Sequence, residues 1–275
     1  MDLPGPATAV FTEAGAGTDP LRANYGLHVG DDPLLVRRRR ADLAHRVGRD
    51  IVWMDQTHST RVLTVCPGEG RALVTDEGGS PVDVGPLTGV HPGEWGPLPC
   101  DGVVIDGRDW AGAPAAAVMV ADCLPVLLAD LAGDVVAAVH AGRAGLAGGI
   151  LSRAVAVVRR LLAGDAELHA LIGPCVCGGC YEVPPTMRDE VAAGHPAARS
   201  ETTWGTPSLD LAAGAAEELR GLGVGVEVLG RCTREDPLLH SHRRDPRSGR
   251  QVGVVVPRRV GDMPGSFTGA GTVLH

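Results

Sequence analysis

The sequence predicts an α+β fold of mixed strand pairs with interspersed helices, and three observations lead there. Short apolar runs of strand length recur from Ile51 to Val256. Between them lie stretches with apolar residues at helical spacing, clearest from Gly145 to Leu162, where Leu146, Ile150, Leu151, Ala154, Val155, Val158 and Leu162 share a face. No internal repeat marks a solenoid or propeller, so the elements belong to layers around a common core.

Taken in order, residues 1–11 read as an irregular N-terminal segment and Asp32 to Val47 as a helix. Ile51 to Val65 holds one or two strands, broken by the polar Gln56-Thr57-His58-Ser59. Pro67 to Cys100 is rich in Gly, Pro and acids and reads as one long loop, a kind of segment that is usually functional or mobile. Val103-Val104-Ile105 begins a strand, followed by Ala115 to Cys123 and Val135 to His140, read as neighbouring strands. After the helix at 145–162, Leu168 to Ile172 is a strand stopped by Gly173-Pro174-Cys175. Thr186 to Ala193 and Leu209 to Leu222 are helical, and Val224 to Leu229 and Val252 to Val256 close the chain as strands. Nothing in the composition marks a linker, so residues 1–275 are expected to form a single domain.

Composition excludes several functions. The formal net charge of −8 argues against binding nucleic acid by phosphate neutralisation. The run Arg37 to Arg40 reads as the solvated face and start of a helix. All 25 basic residues are Arg, which removes Schiff-base chemistry, a phosphate-loop lysine and any lysine base. Met1-Asp2-Leu3-Pro4-Gly5-Pro6 is no signal peptide and no apolar run reaches the ~18 residues of a membrane span, so the expected compartment is the cytoplasm. There the seven Cys are thiols, ligands or nucleophiles rather than disulfides.

Three constellations carry chemistry. Cys123 and His140 each end an apolar run, and His58 follows another. If the tips converge, a thiolate and two imidazoles suit zinc or copper, with a fourth position left open. The run Gly173-Pro174-Cys175-Val176-Cys177-Gly178-Gly179-Cys180-Tyr181-Glu182 has three Cys but lacks a fourth ligand at standard spacing. It reads as a tight turn with structural thiols, with Tyr181 and Glu182 as its functional members. Cys232-Thr233 with His240-Ser241-His242-Arg243-Arg244 and Gly249-Arg250 combines hydroxyls and guanidiniums that suit a phosphate or carboxylate, and its two His are further candidate ligands.

Together, Gln56-Thr57-His58, Ala121-Asp122-Cys123, His140-Ala141-Gly142, Gly173-Pro174-Cys175, Cys180-Tyr181-Glu182-Val183 and Ser241-His242-Arg243-Arg244 resemble the bacterial multicopper polyphenol oxidase or laccase-domain family, also called the peptidoglycan editing factor family. Asn24-Tyr25-Gly26-Leu27-His28 through Asp32 resembles its N-terminal segment. The resemblance implies a layered α-β sandwich with mixed sheets flanked by helices. It implies a purine nucleoside phosphorylase acting on adenosine, inosine and methylthioadenosine, with adenosine deaminase activity. It places metal ligands on His58, Cys123 and His140, with zinc, or copper as the alternative ion. Cys123, Asp122 and His140 are the expected catalytic residues, Asp122 as acid or base near the leaving purine. Asn24, Gln56, Arg143, Tyr181, Ser241, Arg243 and Arg244 are the expected nucleoside and phosphate contacts. One departure stands out: the family reads His-Ala-Gly-Trp-Arg-Gly where this chain reads His140-Ala141-Gly142-Arg143-Ala144-Gly145. Two alternatives accompany this reading. One is a metal-free Cys–His hydrolase with Cys123 as nucleophile and His140 as base, acting on a peptidoglycan precursor; the other is a non-catalytic metal-binding protein.

Overall fold

A computed structural model describes residues 3, 5–69, 72–85, 87, 88, 91–164, 166–258 and 272–274. The elements run β1 (Thr8–Thr12), α1 (Pro33–Val47), β2 (Ile51–Met54), β3 (Val62–Pro67), β4 (Ala72–Thr75), β5 (Glu94–Leu98), β6 (Gly102–Asp106), β7 (Ala115–Val120), β8 (Leu124–Asp130) and β9 (Val135–Ala141). They continue with α2 (Arg143–Ala147), α3 (Ile150–Leu162), β10 (Leu168–Ile172), α4 (Pro185–Gly194), β11 (Arg199–Glu201), β12 (Pro207–Leu209), α5 (Leu211–Gly221), β13 (Gly225–Val228), β14 (Gln251–Val256) and β15 (Thr272–Leu274). A six-stranded sheet has the order β15-β1-β14-β7-β2-β5 and a seven-stranded sheet β13-β10-β8-β9-β6-β3-β4; both mix parallel and antiparallel pairs.

Side-chain alternation explains the layering. In β8, Val126 and Leu128 pack with Leu146, Ile150 and Leu151 of the helices, while Leu127 and Ala129 pack with Val118 and Val120 of the other sheet. The far face of the six-stranded sheet, through Ile51, Trp53, Ala115 and Val254, meets Leu43 and Ala44 of α1. The order of layers is therefore helix, sheet, sheet, helices, which agrees with the expected α+β sandwich. Strands buried on both faces appear as continuous apolar runs rather than alternating ones. That is why β7, β8 and β9 read so plainly as apolar sequence and so ambiguously in their boundaries.

The differences from the sequence reading have physical causes. Part of the N-terminal segment is β1, paired antiparallel with β14 from Thr8↔Val256 to Phe11↔Gly253. The span from Pro67 to Cys100 is interrupted by β4 and β5, short strands whose apolar residues are too few to outweigh the surrounding Gly and Pro. The runs ending near Cys123 and His140 are not neighbours: β7 lies in one sheet and β9 in the other, with β8 as the partner of β9. The helix expected from Gly145 to Leu162 divides at Gly148-Gly149 into α2 and α3. A Cβ on Gly148 would lie 2.5 Å from Thr60 Cγ2, and Gly149 has φ +79°. Nor is the Arg37–Arg40 run wholly solvated. Arg40 is buried, pairs with Glu94 at 3.1 Å and lies 3.9 Å over the Trp53 ring.

Helix ends follow local rules. Asp32 caps α1 by accepting from Leu34 N at 2.9 Å, Pro33 occupies its first turn, and Gly48 ends it in the left-handed region. Asp210 caps α5 by accepting from Ala213 N. No helix among the described residues is long and apolar enough to cross a membrane.

Leu128 is fully buried between the seven-stranded sheet and its helices. Leu128→Ala is expected to destabilise the protein by about 3 kcal/mol through lost burial and the cavity it leaves. Urea titration should show a lower midpoint at an unchanged slope.

Candidate metal centre

The site lies where the chain crosses from one sheet to the other. His58 sits on the β2–β3 connection and Cys123 on the β7–β8 connection, both linking the two sheets. His140 is near the end of β9, opposite Pro125 in the β8–β9 register, which brings it beside Cys123. His58 Nε2 lies 3.5 Å from Cys123 Sγ, the two imidazole centroids are 4.8 Å apart, and the three candidate ligand atoms all lie within 4.8 Å of one another. Both crossing loops carry a non-glycine residue at positive φ, His58 at 61° and Asp122 at 90°. Such strain persists only where surrounding contacts over-determine it.

Asp101 supplies those contacts for His58. Its carboxylate, fully buried, accepts from the backbone N–H of Thr57 (3.2 Å), His58 (3.0 Å) and Ser59 (2.7 Å) and from the Ser59 hydroxyl (2.6 Å). It also receives His140 Nδ1 at 2.8 Å. A carboxylate can only accept there, so Nδ1 carries a proton and Nε2 is the nitrogen that bonds a ligand ion once its own proton leaves. Burial alone would raise the Asp101 carboxyl; its bonds to His140 and Ser59 bring it down to about 2. Burial pulls His140 the other way, but Asp101 and Cys123 hold it up at about 9. Burial likewise opposes the Cys123 thiolate, yet bonds and charge from His140 and His58 bring the thiol down to about 6.

The donors fit a metal ion. One thiolate and two imidazoles form a borderline-soft set, the ring of one is oriented by a carboxylate, and exposed His58 leaves a side of the group open to a cavity of ≈ 410 Å³. Space around the ligands is closely fitted. A Cβ on Gly142 would lie 2.7 Å from His58 Cδ2 and 3.2 Å from Cys123 Sγ.

Residues 8–258 match the model of the family described as multi-copper polyphenol oxidoreductase laccase. The chain belongs to that family. It is 42% identical over 236 residues to a protein of Mycobacterium bovis named purine nucleoside phosphorylase, covering 84% of this chain and 83% of the relative. A Streptomyces coelicolor protein of the same name is 40% identical over 255 residues, covering 89% and 93%. Among solved structures, a Neisseria meningitidis protein aligns with TM-score 0.72 at 30% identity over 93% of this chain and 96% of that one. YlmD from Geobacillus stearothermophilus aligns with TM-score 0.72 at 27% identity over 92% and 93%.

In this member of the laccase family the other expected site residues divide into two groups. Gln56, Asp122, Tyr181 and Arg243 line the cavity together with the three candidate ligands. Gln56 is also occupied by the fold, because its amide donates to Met119 O (2.8 Å) and accepts from Met119 N (2.9 Å). Asp122 accepts from the Thr233 hydroxyl at 2.6 Å and from Arg243 N at 2.7 Å, which fixes the loop carrying Arg243. The Arg243 guanidinium lies 4.4 Å over the Tyr181 ring and donates to Glu182 O. Arg143, which starts α2, is half-buried and is not among the residues lining the cavity.

The remaining three lie elsewhere. Asn24 is buried and bonded to Gly26, Asp31 and Arg250 N. Ser241 is buried and accepts from Arg244 N, while the Arg244 guanidinium is spent on the carbonyls of Thr233, Arg234 and Asp236. Of the two further candidate ligands, His242 lines the cavity and His240 is buried apart from the ligand group. Arg250, which the sequence grouped with the guanidiniums suited to phosphate, also lines the cavity, whereas sequence reasoning gave Asp101, His28 and Met119 no role in the site. The one signal for Asp101 was an acid directly before the apolar start of β6.

Asp101→Asn replaces an acceptor with a group that must present donors to the same N–H bonds. It is expected to weaken zinc binding by about 10- to 100-fold, measured by competition with a chromophoric chelator. A second expectation concerns acid stability. Burial, then the charges of Arg22, Arg250 and Arg244, hold His240 down to about 4 from 6.5. Its folded pKa lies below the unfolded one, so its contribution is fully present above pH 6.5 and is lost as pH falls towards 4. Urea midpoints across that window should fall less steeply for His240→Gln than for the wild type.

Proposed function

We propose that this protein is a purine nucleoside phosphorylase that also deaminates adenosine, using a metal ion held by His58, Cys123 and His140. The observation that carries the reading is a three-ligand group opening into a cavity lined by His28, Tyr181, Arg243 and Arg250. Relatives bearing the phosphorylase name across most of their length support it. When bound, zinc supplies Lewis acidity and lowers the pKa of an oxygen nucleophile.

The chain's own residues supply the rest. Arg243 and Arg250 offer positive charge to phosphate, and the guanidinium fork suits its oxygens. The Tyr181 ring, backed by Arg243, gives a flat wall for a purine. In phosphorolysis the bond from ribose C1′ to the purine nitrogen breaks, a phosphate oxygen bonds to C1′, and the purine leaves with a proton. In deamination, water replaces the amino group of adenosine and ammonia leaves. Asp122 is the acid or base nearest this chemistry by sequence, although its oxygens also anchor Thr233 and Arg243.

A second reading, a metal-free thiol hydrolase, draws on the low thiol pKa of Cys123 and its 3.5 Å contact with His58. Metal analysis separates the two, because an ion held by all three side chains leaves no free thiolate. Purified protein incubated with inosine and phosphate is expected to release hypoxanthine and ribose 1-phosphate, and Cys123→Ala to reduce the rate at least 100-fold. Equal product from wild type and variant, or none from either, would sink the reading.

A further inference from the structure

Three thiols outside the cavity have no part in the chemistry above, and the fold gathers them around one point. Cys177 and Cys180 lie on the loop after β10, and Cys232 and Glu235 on the loop after β13. Strands β10 and β13 pair in parallel, so their loops leave the same edge of the sheet, and a parallel bridge between Cys175 and Cys232 carries the pairing beyond the strands. Each loop then turns tightly: Cys180 N donates to Cys177 O, and Asp236 N to Cys232 O. The result is two short-spaced ligand pairs, Cys-x-x-Cys and Cys-x-x-Glu, facing each other.

We propose that Cys177, Cys180, Cys232 and Glu235 form a second, structural zinc site that clips these two loops together. The four candidate ligand atoms lie within 4.8 Å of one another. A tetrahedral zinc site with Zn–S of about 2.3 Å places its sulfurs about 3.8 Å apart, so little contraction is needed. The contacts among the four already resemble those of such a site. Cys177 N donates to Cys232 Sγ at 3.4 Å, as backbone amides do to metal thiolates, and Cys180 Sγ lies 3.3 Å from Glu235 Oε1. Packing gives a poor account of the cluster: its buried apolar set is only Val176, Cys180 and Cys232. Three thiolates and a carboxylate around Zn²⁺ leave a negative site, and Arg244 lies over the second turn, donating to the carbonyls of Thr233, Arg234 and Asp236.

The clip acts where the chain needs one. The connection between β13 and β14, residues 229–250, holds no helix or strand, yet it carries His242, Arg243 and Arg250 to the cavity. Tyr181 follows Cys180 directly. Zinc at this point therefore fixes two cavity walls without touching a ligand of the first site, and the proposal stands whatever reaction that cavity performs.

Metal content of reconstituted protein tests it. Apo-protein, reduced and chelator-treated, is loaded with zinc and passed through a desalting column. Wild type is expected to retain two equivalents, Cys123→Ala one, Cys232→Ser one, and the double variant none. Loaded with cobalt(II) instead, the wild type should lose most of its thiolate charge-transfer intensity in Cys232→Ser and the smaller part in Cys123→Ala. Should Cys232→Ser fail to fold, Glu235→Gln, at an exposed position, is expected to weaken cobalt binding at the second site about tenfold or more with an unchanged circular dichroism spectrum. One zinc equivalent in wild type that Cys123→Ala abolishes would overturn the proposal. So would a disulfide among the three thiols in alkylation mapping of freshly purified protein, or unchanged cobalt affinity in Glu235→Gln.

Discussion

A single buried carboxylate sets the geometry of the candidate metal centre. Asp101 Oδ1 accepts both the backbone N–H of His58 and the ring N–H of His140, so one oxygen atom fixes the spacing of two imidazoles. A carboxylate excluded from water would be costly unless fully bonded. Here three backbone amides, a hydroxyl and an imidazole compensate it. These bonds hold the β2–β3 loop in a turn that places His58 at positive φ. The same anion holds a proton on His140 Nδ1 and so turns the opposite nitrogen away from Asp101. Fold, ring orientation and protonation state thus meet at one side chain.

The legible parts of the sequence were those where chemistry or periodicity is local. Val135 to His140 and Leu168 to Ile172 announce strands because apolar side chains fill both faces, and Asp32-Pro33 announces a helix start because both residues serve the first turn. Cys123, His140 and His58 stand out because thiol and imidazole at the ends of apolar runs are chemically conspicuous. Sheet membership was not legible. Nothing local in Ala115 to Ala141 tells that the chain changes sheets at Asp122-Cys123, since apolar residues are needed on both sides of that crossing. Asp101 was hidden for a related reason: its five partners come from residues about forty positions away. Pairing between loops was hidden as well, because Cys232 and Glu235 lie 55 positions beyond Cys177 and Cys180 and meet them only through β10 and β13.

Global charge proved a poor guide to local charge. The chain carries a formal net charge of −8, yet Arg243, Arg250 and His28 line the cavity. Burial and the Arg250 and Arg40 charges lower the pKa of His28, which keeps that imidazole neutral and able to accept a hydrogen bond near neutral pH. Several other arginines are bound up in the architecture, Arg40 under β5 and Arg244 over the 232–236 turn. In a chain without lysine, guanidinium serves both as internal brace and as pocket lining, and only partner geometry separates the two roles.

The position of the three candidate ligands at the sheet-to-sheet crossings carries a mechanical consequence. Two of them ride on segments that pass from one sheet to the other, so an ion bound there would tie the sheets together at the rim of their shared core. Sliding one sheet by a fraction of a strand spacing would pull the ligands apart, and ion release would in turn remove a restraint on sliding. Occupancy and cohesion of the sandwich are then two readings of one equilibrium, in which free metal concentration acts on the parting of the two sheets as well as on the pocket.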